Sequence, residues 1–205
     1  MQFLGRTPTQ IGTDSDWVSA RAGEAYTMAL KTDGSLWGWG AGALGSTVAW
    51  DKDGPPVRVH GAADWVSVAA GSSHTLGVRA DGSLWAWGNL YRFGFGGNRR
   101  DNRIIPTQVG TYTNWAFVAS SRWRSIGIRT DGTLWAWGGS GREEEPSHIP
   151  VQIGDASDWV YASAGWEHAV AIRADGSMWA WGEASHGRLG DGSNVWEPEP
   201  VRVVP

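Results

Sequence analysis

The side chains in this chain most able to do chemistry recur in one slot, three residues after a small residue: Tyr26, His74, Arg124 and His168, following Gly23, Gly71, Ser121 and Gly165. Imidazoles could ligate a metal or move a proton, but either task needs several donors converging on one point. The slot changes from phenol to imidazole to guanidinium, and its members lie far apart in sequence. A structural hydrogen bond is therefore the stronger reading for His74 and His168. With zero Cys, thiolate metal sites, disulfides and thiol nucleophiles are excluded. Phe93-Gly94-Phe95-Gly96-Gly97 lacks the Lys-Ser/Thr of a phosphate loop and reads as a turn. Asp191-Gly192-Ser193-Asn194 reads as a turn before a calcium site, and Glu143-Glu144-Glu145 as a solvated loop. No Ser/His/Asp grouping stands out. The expectation is no enzyme, no metal and no cofactor.

What positions these residues is a repeat. The run D-G-[ST]-[LM]-W-[GA]-W-G occurs four times, from Asp33, Asp81, Asp131 and Asp175. A second marker keeps step with it at Trp17, Trp65, Trp115 and Trp159, at intervals of 48, 50 and 44 residues. A third, Pro-x-x-[VI], stands at Pro8, Pro56, Pro106, Pro150 and Pro200. A fixed period of this length means one supersecondary unit stacked on copies of itself. The prolines divide the chain into units of about 8–55, 56–105, 106–149 and 150–199, with 200–205 starting a further strand, all within one domain spanning 1–205.

Asp-Gly between alternating apolar residues is a strong hairpin signal, here expected as a two-residue type I′ turn. That register sets Val78 opposite Trp85, Leu76 opposite Trp87 and Gly77 opposite Ala86. The same folding pairs Leu30/Trp37 with Met28/Trp39, Ile128/Trp135 with Ile126/Trp137, and Ile172/Trp179 with Val170/Trp181. It gives each hairpin one bulky face and one flat face, the latter built from Ala29/Gly38, Gly127/Ala136 and Ala171/Ala180. Such sheets pack bulky face to flat face, and radial stacking of small antiparallel sheets is a β-propeller. The fold expected is all-β, with Trp37, Trp39, Trp85, Trp87, Trp135, Trp137, Trp179 and Trp181 as the structural core. Strands beginning at Trp17, Trp65, Trp115 and Trp159 complete the blades, and the proline segments form edge strands, where a missing N–H does no harm.

Composition narrows the function. The net charge is −4 and no cluster of Lys or Arg is present to follow a phosphate backbone, so nucleic acid is not the expected partner. No apolar run is long enough for a membrane span, and Met1-Gln2-Phe3-Leu4-Gly5-Arg6 lacks the regions of a signal peptide. Compartment stays open between the cytoplasm and a part of a larger exported protein.

The order Trp65, Gly71-Ser72-Ser73-His74, Gly82-Ser83-Leu84-Trp85-Ala86-Trp87-Gly88, then Gly187-Arg188-Leu189-Gly190 in the last unit, resembles the repeat of the regulator of chromosome condensation (RCC1) family across essentially the whole chain. The paired Trp is more similar to bacterial members. The resemblance implies a seven-bladed propeller used as a binding platform: the nuclear member exchanges nucleotide on a small GTPase and docks on chromatin, and a bacterial member inhibits β-lactamases. Four units are short of that ring, so the chain is expected as a fragment, a partial ring, or half of a homodimer whose complementary ends close head to tail. The third unit has Gly141-Arg142-Glu143-Glu144-Glu145 where G-x-L-G belongs.

The register puts the short loops after Gly71 and the long loops after Gly88 at one end of the blades and the Asp-Gly turns at the other. The units differ at the first end. There stand Tyr26, Arg122, Trp123, Arg124, Trp166 and Glu167 in the short loops, and Trp50, Tyr91, Arg92, Phe93 and Trp196 in the long ones. Trp, Tyr and Arg anchor protein interfaces, so the expected function is a non-catalytic protein-binding module, with an inhibitor-like role among its readings. A carbohydrate-binding propeller, with exposed Trp on sugars, and a guanine nucleotide exchange factor are the alternatives. For Trp123, Trp166 and Trp196, capping a neighbouring blade is the competing role.

Overall fold

The computed structural model of the chain describes residues 7–42, 45, 53–61, 63–89, 102–122, 124–138 and 147–204. Their strands form four antiparallel sheets of four consecutive strands each. The first contains β1 (Trp17–Ala22), β2 (Tyr26–Lys31), β3 (Leu36–Gly40) and β4 (Val57–Arg58); the second β5 (Trp65–Ala70), β6 (His74–Arg79), β7 (Leu84–Asn89) and β8 (Asn102–Gln108). The third contains β9 (Trp115–Ser120), β10 (Arg124–Arg129), β11 (Leu134–Gly138) and β12 (Ser147–Gln152); the fourth β13 (Trp159–Ala164), β14 (His168–Arg173), β15 (Met178–Gly182) and β16 (Glu197–Arg202). The inner strands β1, β5, β9 and β13 lie side by side along a groove of about 180 Å³, which Arg21, Phe117 and Tyr161 help to line. This is an arc of propeller blades, and the ring is not closed.

The Asp-Gly hairpin has three loop residues, which corrects the expected two-residue turn. The Gly34, Gly82, Gly132 and Gly176 N–H groups donate to the carbonyls of Lys31, Arg79, Arg129 and Arg173 at 2.9–3.0 Å, and all four glycines are left-handed, with φ of +76° to +80°. A β-turn followed by a left-handed glycine is the usual three-residue hairpin loop. The aspartate favours it: each Oδ1 accepts the N–H of the Ser or Thr two residues on, at 2.8 Å in Asp33–Ser35 and 3.0 Å in Asp131–Thr133. That hydroxyl in turn accepts the indole N–H of the following Trp, at 2.9 Å from Trp37 to Ser35 and 2.7 Å from Trp85 to Ser83. The third and fourth hairpins repeat the bond at 2.8 and 2.9 Å. The hydroxyl and amide donors hold the carboxyls of Asp33, Asp81, Asp131 and Asp175 below the ordinary carboxylate range. This relay is the physical content of the four-fold D-G-[ST]-x-W.

The extra residue slips the register by one and redistributes the faces. Gly77 pairs with Trp85 and Thr75 with Trp87, while Leu76 faces Ala86 and Val78 faces Leu84. The small residue therefore lies on the tryptophan side, against expectation: a Cβ on Gly77 would lie 2.6 Å from the Trp65 ring. Three indoles interlock over each such position; Trp115, for example, meets Trp135 at 6.1 Å and Trp137 at 5.7 Å between ring centroids. The opposite face is aliphatic, not flat. Leu76, Val78 and Leu84 of the second sheet pack on Trp115, Val118 and Trp137 of the third. Met28, Leu30 and Leu36 meet Trp65, Val68 and Trp87 in the same way, and Ile126, Ile128 and Leu134 meet Trp159, Ala162 and Trp181. Blade-to-blade nesting thus holds, with aliphatic side chains as the receiving surface.

A repeated cation closes the indole stack from the turn end. The Arg79 guanidinium lies 3.9 Å from the Trp85 ring centroid and 4.9 Å from that of Trp65, with Asp64 3.5 Å away. Arg129 and Arg173 repeat the stacking, and Lys31 does so while pairing with Asp14 at 2.6 Å. Cation–π contacts of this kind contribute about 0.5–2 kcal/mol each. The cation's sequence signal is [KR]-[TA]-D-G, which occurs four times.

The sheets are phased differently from the proline-bounded units. Pro106, Pro150 and Pro200 lie in β8, β12 and β16, each the outer strand of the sheet begun earlier. Residues 200–202 thereby complete the fourth sheet against β15, because an antiparallel strand pairs with its immediate predecessor. Pro8 stands in a stretch without strand.

Candidate functional site

The short loops between the first and second strands of every blade gather at one end of the arc. They surround a cleft of about 280 Å³ whose wall includes Glu24, Ser72, Ser121, Arg122 and Trp166. Blade-to-blade hydrogen bonds brace it: Glu24 N–H donates to Gly71 C=O at 3.3 Å and the Ser72 hydroxyl to Arg122 C=O at 3.2 Å. Trp166, 60% exposed, carries the Arg122 guanidinium 4.8 Å from its ring centroid. Arg124 lies 5.5 Å from the Trp196 ring, itself partly exposed. Glu167 is half-buried beside Trp166. The arrangement offers two partly exposed indole rings, each with a guanidinium beside it. Among the described residues no group of three or more His, Cys, Asp or Glu could hold a metal.

Of the residues expected at the interface, Arg122 lies against Trp166, with Glu167 next to it in sequence, and Arg124 against Trp196. Tyr26 does not belong to it. It is 3% exposed, and its hydroxyl donates to His74 C=O at 2.5 Å and lies 3.0 Å from the Thr75 hydroxyl, both on the next blade. Burial pushes its phenol pKa up, with the Thr75 bond opposing. Trp50, Tyr91, Arg92, Phe93 and Trp123 lie outside the described residues, as do 93–97 and 141–145. Asp191-Gly192-Ser193 is a turn, with Ser193 N–H donating to Asp191 Oδ1 at 2.9 Å.

His74 has a structural place: its Nε2 lies 2.7 Å from the Ser120 hydroxyl and 3.4 Å from that of Ser125, both on the third sheet. These two hydroxyls are the partners that sequence reading missed, for lack of any cue that the slot reaches the following blade. Complete burial drives the His74 imidazole down to about 3. An unfolded chain protonates it near pH 6.5, so the unfolded state binds more protons between there and about 3, and stability falls as pH drops through that window. The maximal slope is about 1.4 kcal/mol per pH unit. His74→Gln should lower stability at pH 7 and flatten this part of the slope, measured by urea unfolding at pH 7 and pH 5. Equal slopes in the two proteins would overturn the assignment.

The architecture defines the class: a tryptophan-braced arc of propeller blades. The sequence pattern of the regulator of chromosome condensation (RCC1) repeat matches residues 65–89 and 159–188, in the second and fourth blades. The fold is similar to that of human WBSCR16, with a TM-score of 0.81 and 22% identity over 95% of this chain and 54% of that one. Yeast RCC1, Prp20, solved bound to Kap60, gives a TM-score of 0.80 at 20% identity over 98% of this chain and 52% of that one. A second structure of Prp20p from Saccharomyces cerevisiae gives 0.78 at 21% identity, covering 98% and 53%. The chain thus spans about half the length of these proteins. No curated protein sequence is significantly similar to it. Among the described residues no helix is long and apolar enough to cross a membrane.

Proposed function

We propose that the chain is a non-catalytic protein-binding propeller module whose contact surface is the short-loop end of the blades. The observation that carries this reading is the pairing of exposed Trp166 with Arg122 at the cleft, with a second such pair in Trp196 and Arg124. Preformed aromatic and arginine anchors are the residue types that dominate interface energetics, because they desolvate a large area at small entropic cost. Support by analogy comes from Prp20, which is solved in complex with Kap60 and described as binding Gsp1p and histones. Those are protein partners, and nucleotide exchange by this chain would rest on that analogy alone.

The test is a pull-down with the purified chain and its Trp166→Ala and Trp196→Ala variants, followed by affinity measurement on the captured partner. Loss of an anchor should weaken the complex about 30-fold or more, with circular dichroism unchanged. A glycan-array signal abolished by the same substitutions would overturn protein binding in favour of carbohydrate recognition. Retained protein binding by both variants would remove this face from the interface.

A further inference from the structure

At the turn end of every blade a cation stacks on the indoles, and the residue just before the inner-strand tryptophan stands beside it. The backbone fixes that equivalence. Thr32, Ala80, Thr130 and Ala174, each following its cation, donate their N–H groups to the carbonyls of Asp16, Asp64, Asn114 and Asp158 at 2.8–2.9 Å. Where this neighbour is an aspartate, it neutralises the cation. Lys31 pairs with Asp14 at 2.6 Å and Asp16 at 3.1 Å, Arg79 Nε lies 3.5 Å from Asp64 Oδ1, and Arg173 Nε donates to Asp158 Oδ1 at 2.6 Å.

The third blade departs from this rule at both acidic positions. Asn114 stands where the other blades have Asp16, Asp64 and Asp158, and Tyr112, two residues earlier, stands where the first blade has Asp14. Arg129 is only 8% exposed, yet among the described residues no carboxylate pairs with it. Its Nε and Nη2 are buried without a hydrogen-bond partner, and Asn114 Oδ1 is in the same condition. Aromatic rings surround the guanidinium instead, with centroids at 3.7 Å for Trp135, 4.2 Å for Tyr112 and 4.8 Å for Trp115. A guanidinium stacked on rings keeps its N–H edge for hydrogen bonds, and Nε with Nη2 is a pair of donors that a carboxylate can engage with both oxygens. Leaving that edge unpaired inside the fold is costly.

Asp131, which feels the Arg129 charge, does not fill the gap. Its Oδ1 accepts the Thr133 hydroxyl at 2.6 Å and the Thr133 N–H at 3.0 Å, and these bonds, with a smaller contribution from Arg129, hold its carboxyl below the ordinary range. The third blade is packed between the second and the fourth, so the surroundings of Arg129 are set by blades on both sides. The cover over it is thin: Tyr112 is 58% exposed, Asn114 is half-buried, and Thr111 and Thr113 are exposed.

We propose that the Arg129 edge at the turn end of the third blade is a carboxylate-binding site. An external carboxylate takes the place against Nε and Nη2 that an aspartate holds from within in the neighbouring blades, with the Asn114 amide turned aside and the Tyr112 ring as the outer wall. The ligand chemistry follows from the repeat, since Asp64 and Asp158 show what the same guanidinium edge accepts one blade to either side. The site lies at the opposite end of the blades from Trp166 and is independent of the contact surface proposed above.

Nuclear magnetic resonance on the full chain tests this, by following the arginine Nε–H signals while acetate replaces chloride at constant ionic strength. The Arg129 signal, identified by its change in Asn114→Asp, should shift and saturate, while those of Arg79 and Arg173, already paired with aspartates, stay in place. Asn114→Asp supplies the carboxylate from within, as three blades already do. It should raise the urea midpoint and weaken the acetate response about tenfold or more. A blocked tripeptide with a central aspartate distinguishes the source. Saturation at lower concentration than acetate assigns the site to an acidic side chain of a partner, and saturation by acetate at equal or lower concentration assigns it to a free small acid. No response of Arg129 to either probe overturns the proposal, and so does an equal shift of all three arginines or an undiminished response in Asn114→Asp.

Discussion

Replacing Trp137 with alanine should lower the unfolding free energy by about 3–5 kcal/mol, the range for truncating a fully buried large aromatic. Trp137 is 2% exposed and sits where the third blade nests into Leu76, Val78 and Leu84 of the second. Its ring also packs against Trp115 and over Gly127, so no neighbour can collapse into the space without moving another indole. In a stack of repeats each blade is held mainly by its neighbours, so a defect at a central junction weakens the whole arc. Trp166→Ala removes an equally large side chain from the surface and should cost less than about 1 kcal/mol. Denaturant midpoints with unchanged m-values would give both numbers. A small cost at Trp137 would contradict the nesting of indoles into the preceding blade.

The second large effect concerns a backbone conformation. Gly132 has φ +76°, and a Cβ there would lie 2.2 Å from the Ser157 carbonyl oxygen of the next blade. Gly132→Ala therefore combines the left-handed penalty of about 1–2 kcal/mol with displacement of a segment whose Trp159 N–H donates to Gly132 C=O at 3.0 Å. The total should reach about 3–4 kcal/mol. Gly154, at φ +59° with nothing within 4 Å of an added Cβ, isolates the conformational part. Gly154→Ala should cost about 1–2 kcal/mol. Equal losses at the two sites, measured by the same unfolding titrations, would show that the close approach between blades is unimportant.

The repeat was legible because each D-G-[ST]-x-W run is a local device, complete within seven residues and therefore visible as spacing. The turn length was not. Asp-Gly serves both a two-residue and a three-residue loop, and the choice lies in the bond from Asp81 Oδ1 to Ser83 N–H, at 2.9 Å, which favours the longer one. One residue of slip then moved Gly77 from the face opposite Trp85 to the face beneath it. In the candidate site, the sequence supplied Trp166 and Arg122 as types on a loop, whereas their stacking at 4.8 Å joins residues from adjacent blades. Tyr26 misled because it borders a variable loop in sequence, while it begins β2 and its ring is covered by the next blade.

By itself the sequence determined the number of blades, their strand content and the end of the arc on which variation concentrates, because these follow from period, alternation and turn chemistry within single units. The tertiary structure decided which face of each sheet is aromatic and which aliphatic, which loop residues are buried, and that His74 finds hydroxyls while His168 does not. Those outcomes depend on contacts between units. Similar local sequences enter different surroundings according to the blade packed against them, so burial and hydrogen bonding are properties of the stack.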